Sequence, residues 1–379
     1  MWTLPYARLA ELRWVMFWSG NWPLLDVHLD MDAAYARMFK KLTGAQLMLA
    51  AQFFKQGIVT AYHCEEEYER LESYFKTRFD KDPNFILNSV KNYRKIVNAD
   101  ISYLRSLPNS EALSTCTNLE LKQLFIQARK RFVYNATIDH YDWLAEKLFA
   151  PVLESFLAQR MRELGIAIGL LPNYVQTILA PHEISLTWLE RKEFFSIVRY
   201  VRSQKLLFKL FKQGLSIQQL CSRFPKLKQK LATYLHKYVW ITCLVNSPPR
   251  NMIELGRELS EYVRENRSLV VQSKRLGDNY DPITIARSKK IILKLVPNKK
   301  IIILIKTLRK MSFLRTEDYV VMSESTYLVR SLYKEVARRL GTTYSSLKEL
   351  TPQEITTLLS RGAKVSAKLI KSRRKFTSL

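Results

Sequence analysis

The chain has 379 residues, of which 47 % are hydrophobic, enough for a sizeable core and for two or three domains. This composition excludes a disordered tail. The chain has only 10 glycines, and its apolar residues recur at helical spacing, so a mainly helical protein is expected. The net charge of +27 comes from one half: residues 1–190 hold 21 Lys+Arg and 21 Asp+Glu, whereas residues 191–379 hold 40 and 13. Such asymmetry indicates a polyanionic partner for the C-terminal half, or else a lysine-rich surface that is merely solvated.

The N-terminal segment carries charges at Arg8, Glu11 and Arg13 instead of the apolar run of a secretory signal. The apolar stretch 291–308 is interrupted by four lysines, so no membrane span is expected. Four cysteines lie far apart without a close pair: Cys64, Cys116, Cys221 and Cys243. Together these features predict a protein of the reducing cytoplasm.

Residues 1–82 are expected to form a small α/β unit. Residues 46–62 predict two short strands, or a helix and a strand, around a turn at Gly57, and the glutamates at 65–69 predict a helix start. Four polar residues would share one face of an extended strand: Asp26, His28, Asp30 and Asp32. They have the ligand chemistry of a divalent metal site, but a strand with a solvated face is the simpler interpretation, and no metal is predicted.

Residues 83–281 are expected to form a helical domain. Apolar spacing predicts helices over residues 85–107, 117–144, 150–164, from Ser185 or Thr187 to about 201, 216–220, 227–241 and 252–272, with an irregular connection over 165–181. Asp139 and His140 have the residue types of an acid and base pair. Adjacent helical residues point about 100° apart, so a structural histidine is the preferred interpretation.

Residues 282–379 form the third predicted part, a basic helical region. Between 282 and 316 there are ten basic residues and no acidic one, arranged as two amphipathic helices hinged at Val296-Pro297-Asn298. A second basic run without an acid covers 361–375. The residues predicted to bind a polyanion are Lys289, Lys290, Lys294, Lys299, Lys300, Lys306, Arg309 and Lys310.

The end of the chain has the clearest helix signals. Apolar residues repeat every four positions from Leu328 to Leu340, and Gly341 is placed to end that helix. Thr351, Pro352 and Glu354 then predict a capping box with proline in the first turn of the next helix. The expected fold is therefore mainly α, a multi-helix antiparallel bundle-like array with a small N-terminal α/β unit.

Several of these motifs resemble the helical region that precedes the swivelling domain of phosphoenolpyruvate-utilising phosphotransferases, the relatives of phosphoenolpyruvate synthase and rifampicin phosphotransferase. They are Arg315-x-x-Asp318, Leu340-Gly341, the segment 350–355 and the helix 235–241. The resemblance covers residues 40–376, with matches concentrated near 130–143, 235–241 and 315–374. It implies an acceptor-facing helical module that works with a catalytic subunit carrying an ATP-grasp (nucleotide-grasping) or phosphohistidine domain. The ligand-binding residues it implies are His236, Tyr238, Trp240, Arg315 and Asp318.

The motifs that such an enzyme would need are missing from this sequence. It has no glycine-rich phosphate loop, and none of its five histidines has the Thr-Ser-His-Ala-Ala setting of the family's phosphohistidine. No catalytic residue and no cofactor is therefore predicted. Two hypotheses remain: an accessory helical module that acts with a catalytic partner in trans, or a basic helical nucleic-acid-binding protein. The aromatic residues fall mostly at core spacing, which argues against a base-stacking platform.

Overall fold

A computed structural model describes residues 11–21, 23–25, 40, 43–45, 50–55, 58–243, 247–264 and 282–375. Within these ranges, the side chains of residues 17–18, 20–21, 50–55, 133–144 and 374–375 are not described. The candidate metal ligands Asp26, His28, Asp30 and Asp32 lie outside the described residues.

The N-terminal part contains a three-stranded antiparallel sheet in the order β1-β3-β2, with β1 at Trp14–Asn21, β2 at Ala50–Lys55 and β3 at Ile58–Cys64. In register, Trp14 faces Cys64 and Lys55 faces Ile58, and β1 has an irregularity between Met16 and Trp18. Of the two alternatives predicted for residues 46–62, the structure has the two strands, β2 and β3, although Gly57 itself lies outside the described residues.

Helices make up most of the rest, so the predicted mainly α fold with a small N-terminal α/β unit is confirmed. None of the described helices is long and apolar enough to cross a membrane. In chain order the helices are α1 Glu65–Lys81, α2 Phe85–Arg105, α3 Ser110–Thr115, α4 Asn118–Glu163, α5 Leu171–Leu179, α6 Leu186–Ser203, α7 Lys205–Lys212, α8 Ile217–Arg223, α9 Pro225–Tyr238, α10 Met252–Arg264, α11 Pro282–Leu295, α12 Lys299–Arg339, α13 Tyr344–Leu347, α14 Pro352–Arg361 and α15 Ala367–Lys375.

The chain divides into two compact units. Unit 1 comprises residues 1–150 and 325–379, and unit 2 comprises residues 151–324. The divisions fall inside α4, before Pro151, and inside α12, after Glu324. These units group the residues differently from the predicted division into 1–82, 83–281 and 282–379, which stays a prediction.

The helices of unit 1 pack through their apolar faces. Six residues at helical spacing in α2 are all buried: Ile86, Val90, Tyr93, Val97, Ile101 and Leu104. Arg131 of α4 donates to the fully buried carboxylate of Asp100 in α2 at 2.8 Å, so this ion pair joins the two helices. The Phe125 and Tyr333 rings pack 5.3 Å apart and bring the C-terminal part of α12 into the same core.

The predicted helix ends near the C-terminus are confirmed in atomic detail. Gly341 has φ of 66°, the left-handed conformation that ends α12. Thr351 Oγ1 accepts from the Glu354 amide at 3.2 Å, and the Glu354 carboxylate accepts from the Thr351 amide at 2.7 Å. Pro352 occupies the first turn, where its missing N–H costs no helical hydrogen bond.

Between residues 117 and 212, the observed helices differ from the expected ones in three places. Residues 117–144 and 150–164 were expected to be separate helices, but they form the single helix α4, because Pro151 removes one hydrogen bond without ending it. The connection expected at 165–181 contains a 3-10 turn and α5. A further short helix, α7, buries Leu207 and Phe211, so tertiary packing stabilises a segment too short to be stable alone.

Gly256 of α10 packs closely against Ile217 of α8 in unit 2. A Cβ at this position would lie 2.5 Å from Ile217 Cβ, which is anchored to the α8 backbone and cannot rotate away. Gly256→Ala is therefore expected to destabilise the protein by about 1–3 kcal/mol, measured by urea unfolding. Gly169→Ala is the matched control, because nothing lies within 4 Å of the Cβ it adds. Equal unfolding midpoints for both variants would contradict this packing.

Candidate polyanion-binding surface

Helix α11 presents basic side chains to solvent along one face. Ser288 and Leu295 are buried on its inner side, whereas the cations predicted from the sequence point outward. The exposed cations of α11 are Arg287, Lys289, Lys290 and Lys294. The surface therefore keeps its charge in water, where it is available to phosphate groups.

The start of α12 continues this pattern after the hinge. Asn298 Oδ1 accepts from the Lys300 amide at 2.8 Å, which fixes the helix start directly after Pro297. Leu304 is buried below, while Lys299, Lys300 and Lys306 are exposed. We call the exposed cations of α11 and of this first part of α12 the α11–α12 basic surface: Arg287, Lys289, Lys290, Lys294, Lys299, Lys300 and Lys306.

Arg309, also predicted to bind a polyanion, instead joins three elements inside unit 2. Its Nε donates to the carbonyl of Ile178 in α5 at 2.5 Å, and Nη2 donates to Ser288 Oγ of α11 at 2.6 Å. Its Nη1 lies 3.3 Å from Nδ1 of His182. Burial lowers the pKa of Arg309 to about 10, which still leaves the guanidinium charged at neutral pH.

His182 is the neutral partner in this arrangement. Burial, followed by the charges of Arg309 and Lys289, lowers the pKa of His182 below its ordinary value. A neutral imidazole can accept from Arg309 through Nδ1, whereas an imidazolium could not. The contact therefore positions the guanidinium without neutralising it.

The side chain of Lys310 is also mostly buried. Its ammonium forms an ion pair with Glu183 and lies 5.3 Å from the Phe313 ring centroid. Of the eight predicted polyanion-binding residues, six are thus exposed, and Arg309 and Lys310 make internal contacts.

The second basic run, 361–375, belongs to unit 1. Lys368 and Lys371 of α15 are exposed, but Arg373 pairs with Glu354 of α14 at 2.8 Å. Part of this run therefore supports the packing of α15 on α14.

The five residues implied by the resemblance lie in different environments. His236 is exposed on α9, whereas Tyr238 of the same helix is fully buried, 5.2 Å from the Tyr234 ring. Trp240 is partly buried and lies beyond the end of α9, whereas the sequence predicted a helix over 227–241 that would contain both His236 and Trp240. In α12, Asp318 is buried and Arg315 is partly exposed.

A second cationic region in unit 2 was not predicted from the sequence. Residues 194–253 contain 11 Lys+Arg and no Asp or Glu, a run that a charge count over windows longer than one helix would have revealed. It covers most of α6 and all of α7, α8 and α9, which enclose a core that includes Phe194, Phe211 and Leu231.

A cleft of about 430 Å³ in unit 1 was also missed. His63 of β3 lies in it, 5 % exposed, with its ring centroid 3.8 Å from that of Tyr68. Burial, and then the charge of Lys147, lowers the pKa of His63 to about 4, and Lys147 pairs with Glu72. The side chains lining the cleft are Val15, Met16, His63, Glu65, Tyr68, Glu69, Glu72 and Lys147.

Among the described residues, no group of three His, Cys, Asp or Glu side chains is placed to hold a metal ion. Asp139 and His140 lie in the part of α4 whose side chains are not described.

Comparisons with protein-family models, with curated proteins and with solved structures find no match to this chain. The resemblance to phosphoenolpyruvate-utilising phosphotransferases therefore stays a prediction, and so do the ligand-binding roles that it implies.

His63 gives a prediction for stability against pH. Its pKa of about 4 in the folded protein lies below the ordinary value of 6.5, so the unfolded chain binds the proton first. Stability should fall as pH decreases from about 6.5 towards 4, by on the order of 3 kcal/mol. His63→Phe keeps an aromatic ring beside Tyr68 and removes the titration, so urea unfolding across this range should give a flatter profile.

His236→Phe is the control, because His236 is exposed on α9. Its profile should follow that of the unchanged protein. If His63→Phe also followed it, proton binding at His63 would play no part in the stability.

Proposed function

We propose that this chain binds nucleic acid by contacting backbone phosphates with its α11–α12 basic surface. The observation that carries the proposal is the exposure of six lysines within a 282–316 segment that contains no carboxylate. Such cations replace the counterions condensed on a nucleic acid, which favours binding whatever the base sequence. The length of α11, 14 residues or about 21 Å, spans several phosphates of one strand.

The distribution of aromatic side chains favours duplex over single-stranded nucleic acid. Among side chains the structure describes, Tyr319 is the only aromatic in the exposed class. Single-strand binding without sequence preference depends on aromatic rings that stack on successive bases. Phosphate contacts to a duplex need no such rings.

The apolar side chains of α11 argue against a membrane surface as the ligand. Ile283 and Leu293 are 78 % and 85 % exposed, but they lie ten residues apart, about 15 Å along the helix. An interfacial helix instead presents a continuous apolar face to the lipid. Docking of a catalytic subunit in trans, which the resemblance implies, stays a separate prediction that copurification would test.

Salt dependence tests the proposal. The affinity of the full chain for a labelled duplex is measured by fluorescence anisotropy over a salt series. For the unchanged protein, log K should fall linearly with log[salt], with a slope of about −0.9 for each phosphate contact. Replacing Lys289, Lys290 and Lys294 by alanine should weaken binding and reduce the slope by about 2–3.

The control replaces Lys76, Lys91 and Lys95 by alanine, which removes the same charge from exposed positions on α1 and α2 of unit 1. Its slope should equal that of the unchanged protein. The absence of salt-dependent duplex binding would contradict the proposal, as would equal effects of the two triple variants. Binding to anionic lipid vesicles but not to duplex would identify a membrane ligand instead.

A further inference from the structure

Helix α9 lies inside the acid-free segment 194–253 and divides cleanly into an inner and an outer face. The inner face is buried and consists of Leu227, Leu231, Tyr234 and Tyr238. The exposed outer face consists of Lys226, Lys228, Gln229, Ala232, Thr233, His236 and Lys237, with Lys230 half-buried at its edge. No member of this outer face is acidic, so an anionic ligand meets no repulsion from α9 itself.

The inner face is fixed by a buried polar network. The carboxylate of Glu190 in α6 accepts from the Tyr234 hydroxyl and, at 3.0 Å, from Arg250 Nη1. Arg250 Nη1 also donates to the Tyr234 oxygen at 2.7 Å. These contacts set the rotation of α9 about its own axis, and they thereby determine which side chains face outward.

The outer face has the layout of a groove-binding helix. Gln229 and His236 are seven residues apart, so they lie on one line along the helix, with Thr233 and Ala232 close beside it. Lys230 and Lys237 border this line on one side and Lys228 borders it on the other. The Lys230 ammonium lies 5.3 Å from the Tyr200 ring centroid, and Lys237 pairs with Glu193.

The dimensions of α9 fit the major groove of a duplex. Its 14 residues give a length of about 21 Å, and a helix with side chains is about 10–12 Å wide. The major groove is about 12 Å wide and admits one α-helix. The small side chains of Ala232 and Thr233 at the middle of the face allow the helix backbone to approach the base edges.

We propose that α9 enters the major groove, with Gln229 and Thr233 against base edges and Lys228 and Lys230 at phosphates of opposite strands. This inference rests on the proposed function, and it adds a base-reading helix to the phosphate-binding surface. The Gln229 amide is able to form two hydrogen bonds with adenine N6 and N7, which are exposed only in the major groove.

Chemical footprinting locates the helix without any substitution. Dimethyl sulfate methylates guanine N7 in the major groove and adenine N3 in the minor groove. On a short duplex saturated with the full chain, guanine N7 should be protected and adenine N3 should remain reactive. Protection of adenine N3 alone, or of neither atom, would overturn the inference.

Two matched substitutions test the outer face. Gln229→Glu keeps the side-chain shape and places a negative charge on the outer face of α9, so duplex affinity should fall about tenfold or more and guanine N7 should become reactive. Gln123→Glu makes the same change at an exposed position of α4 in unit 1, and it should change affinity less than twofold. Thermal unfolding of both variants verifies that they are folded.

The outcomes separate this inference from the proposed function. If the unchanged chain binds duplex with reactive guanine N7, or if Gln229→Glu behaves like Gln123→Glu, the α9 assignment is wrong while phosphate binding stands. If the chain does not bind duplex at all, both fail.

Discussion

The buried carboxylate of Glu190 is the group on which the helical packing around α9 depends. It is 3 % exposed, and its partners Tyr234 and Arg250 come from different parts of the chain. Arg250 and Arg191 also pair with Glu258, which brings α10 into the same network. Burial and the Glu190 charge raise the pKa of Tyr234, so its hydroxyl remains a donor at neutral pH. Removing one partner from such a buried pair typically costs about 3–5 kcal/mol, because the remaining charge stays buried without compensation.

This use of carboxylates inside unit 2 explains its basic exterior. Unit 2 contains 30 Lys+Arg and 14 Asp+Glu. Several of the few acids make internal or local contacts: Glu190 and Glu258 hold arginines, Glu183 pairs with Lys310, and Glu317 accepts from the Leu186 amide. Carboxylates that make these contacts do not pair with the exposed lysines of α11. The positive charge therefore remains at the surface, where its potential extends over a Debye length of about 8 Å at physiological salt.

Local sequence signals predicted the local structure well and the long-range contacts poorly. The capping box at Thr351 and the hinge at Pro297 depend on neighbouring residues only, and both are present. The contacts of Arg309 with Ile178 and of Lys310 with Glu183 join residues 131 and 127 positions apart, so charge spacing alone could not separate these two cations from the exposed ones. The acid-free segment 194–253 was not predicted for another reason. Its signal is the absence of acids over 60 residues, which belongs to a group of helices and not to any one motif.

Arg309 contributes to the basic surface even though its side chain makes internal contacts. The partners it contacts are a carbonyl, a serine hydroxyl and a neutral histidine, and none of these carries a compensating negative charge. A charge in a partly buried site is screened less than one in water, so its potential extends further. Because Arg309 bonds directly to Ser288 on the inner side of α11, that potential adds to the field of Lys289 and Lys290 on the outer side. Arg309 therefore helps to hold α11 in place and adds positive potential beneath it.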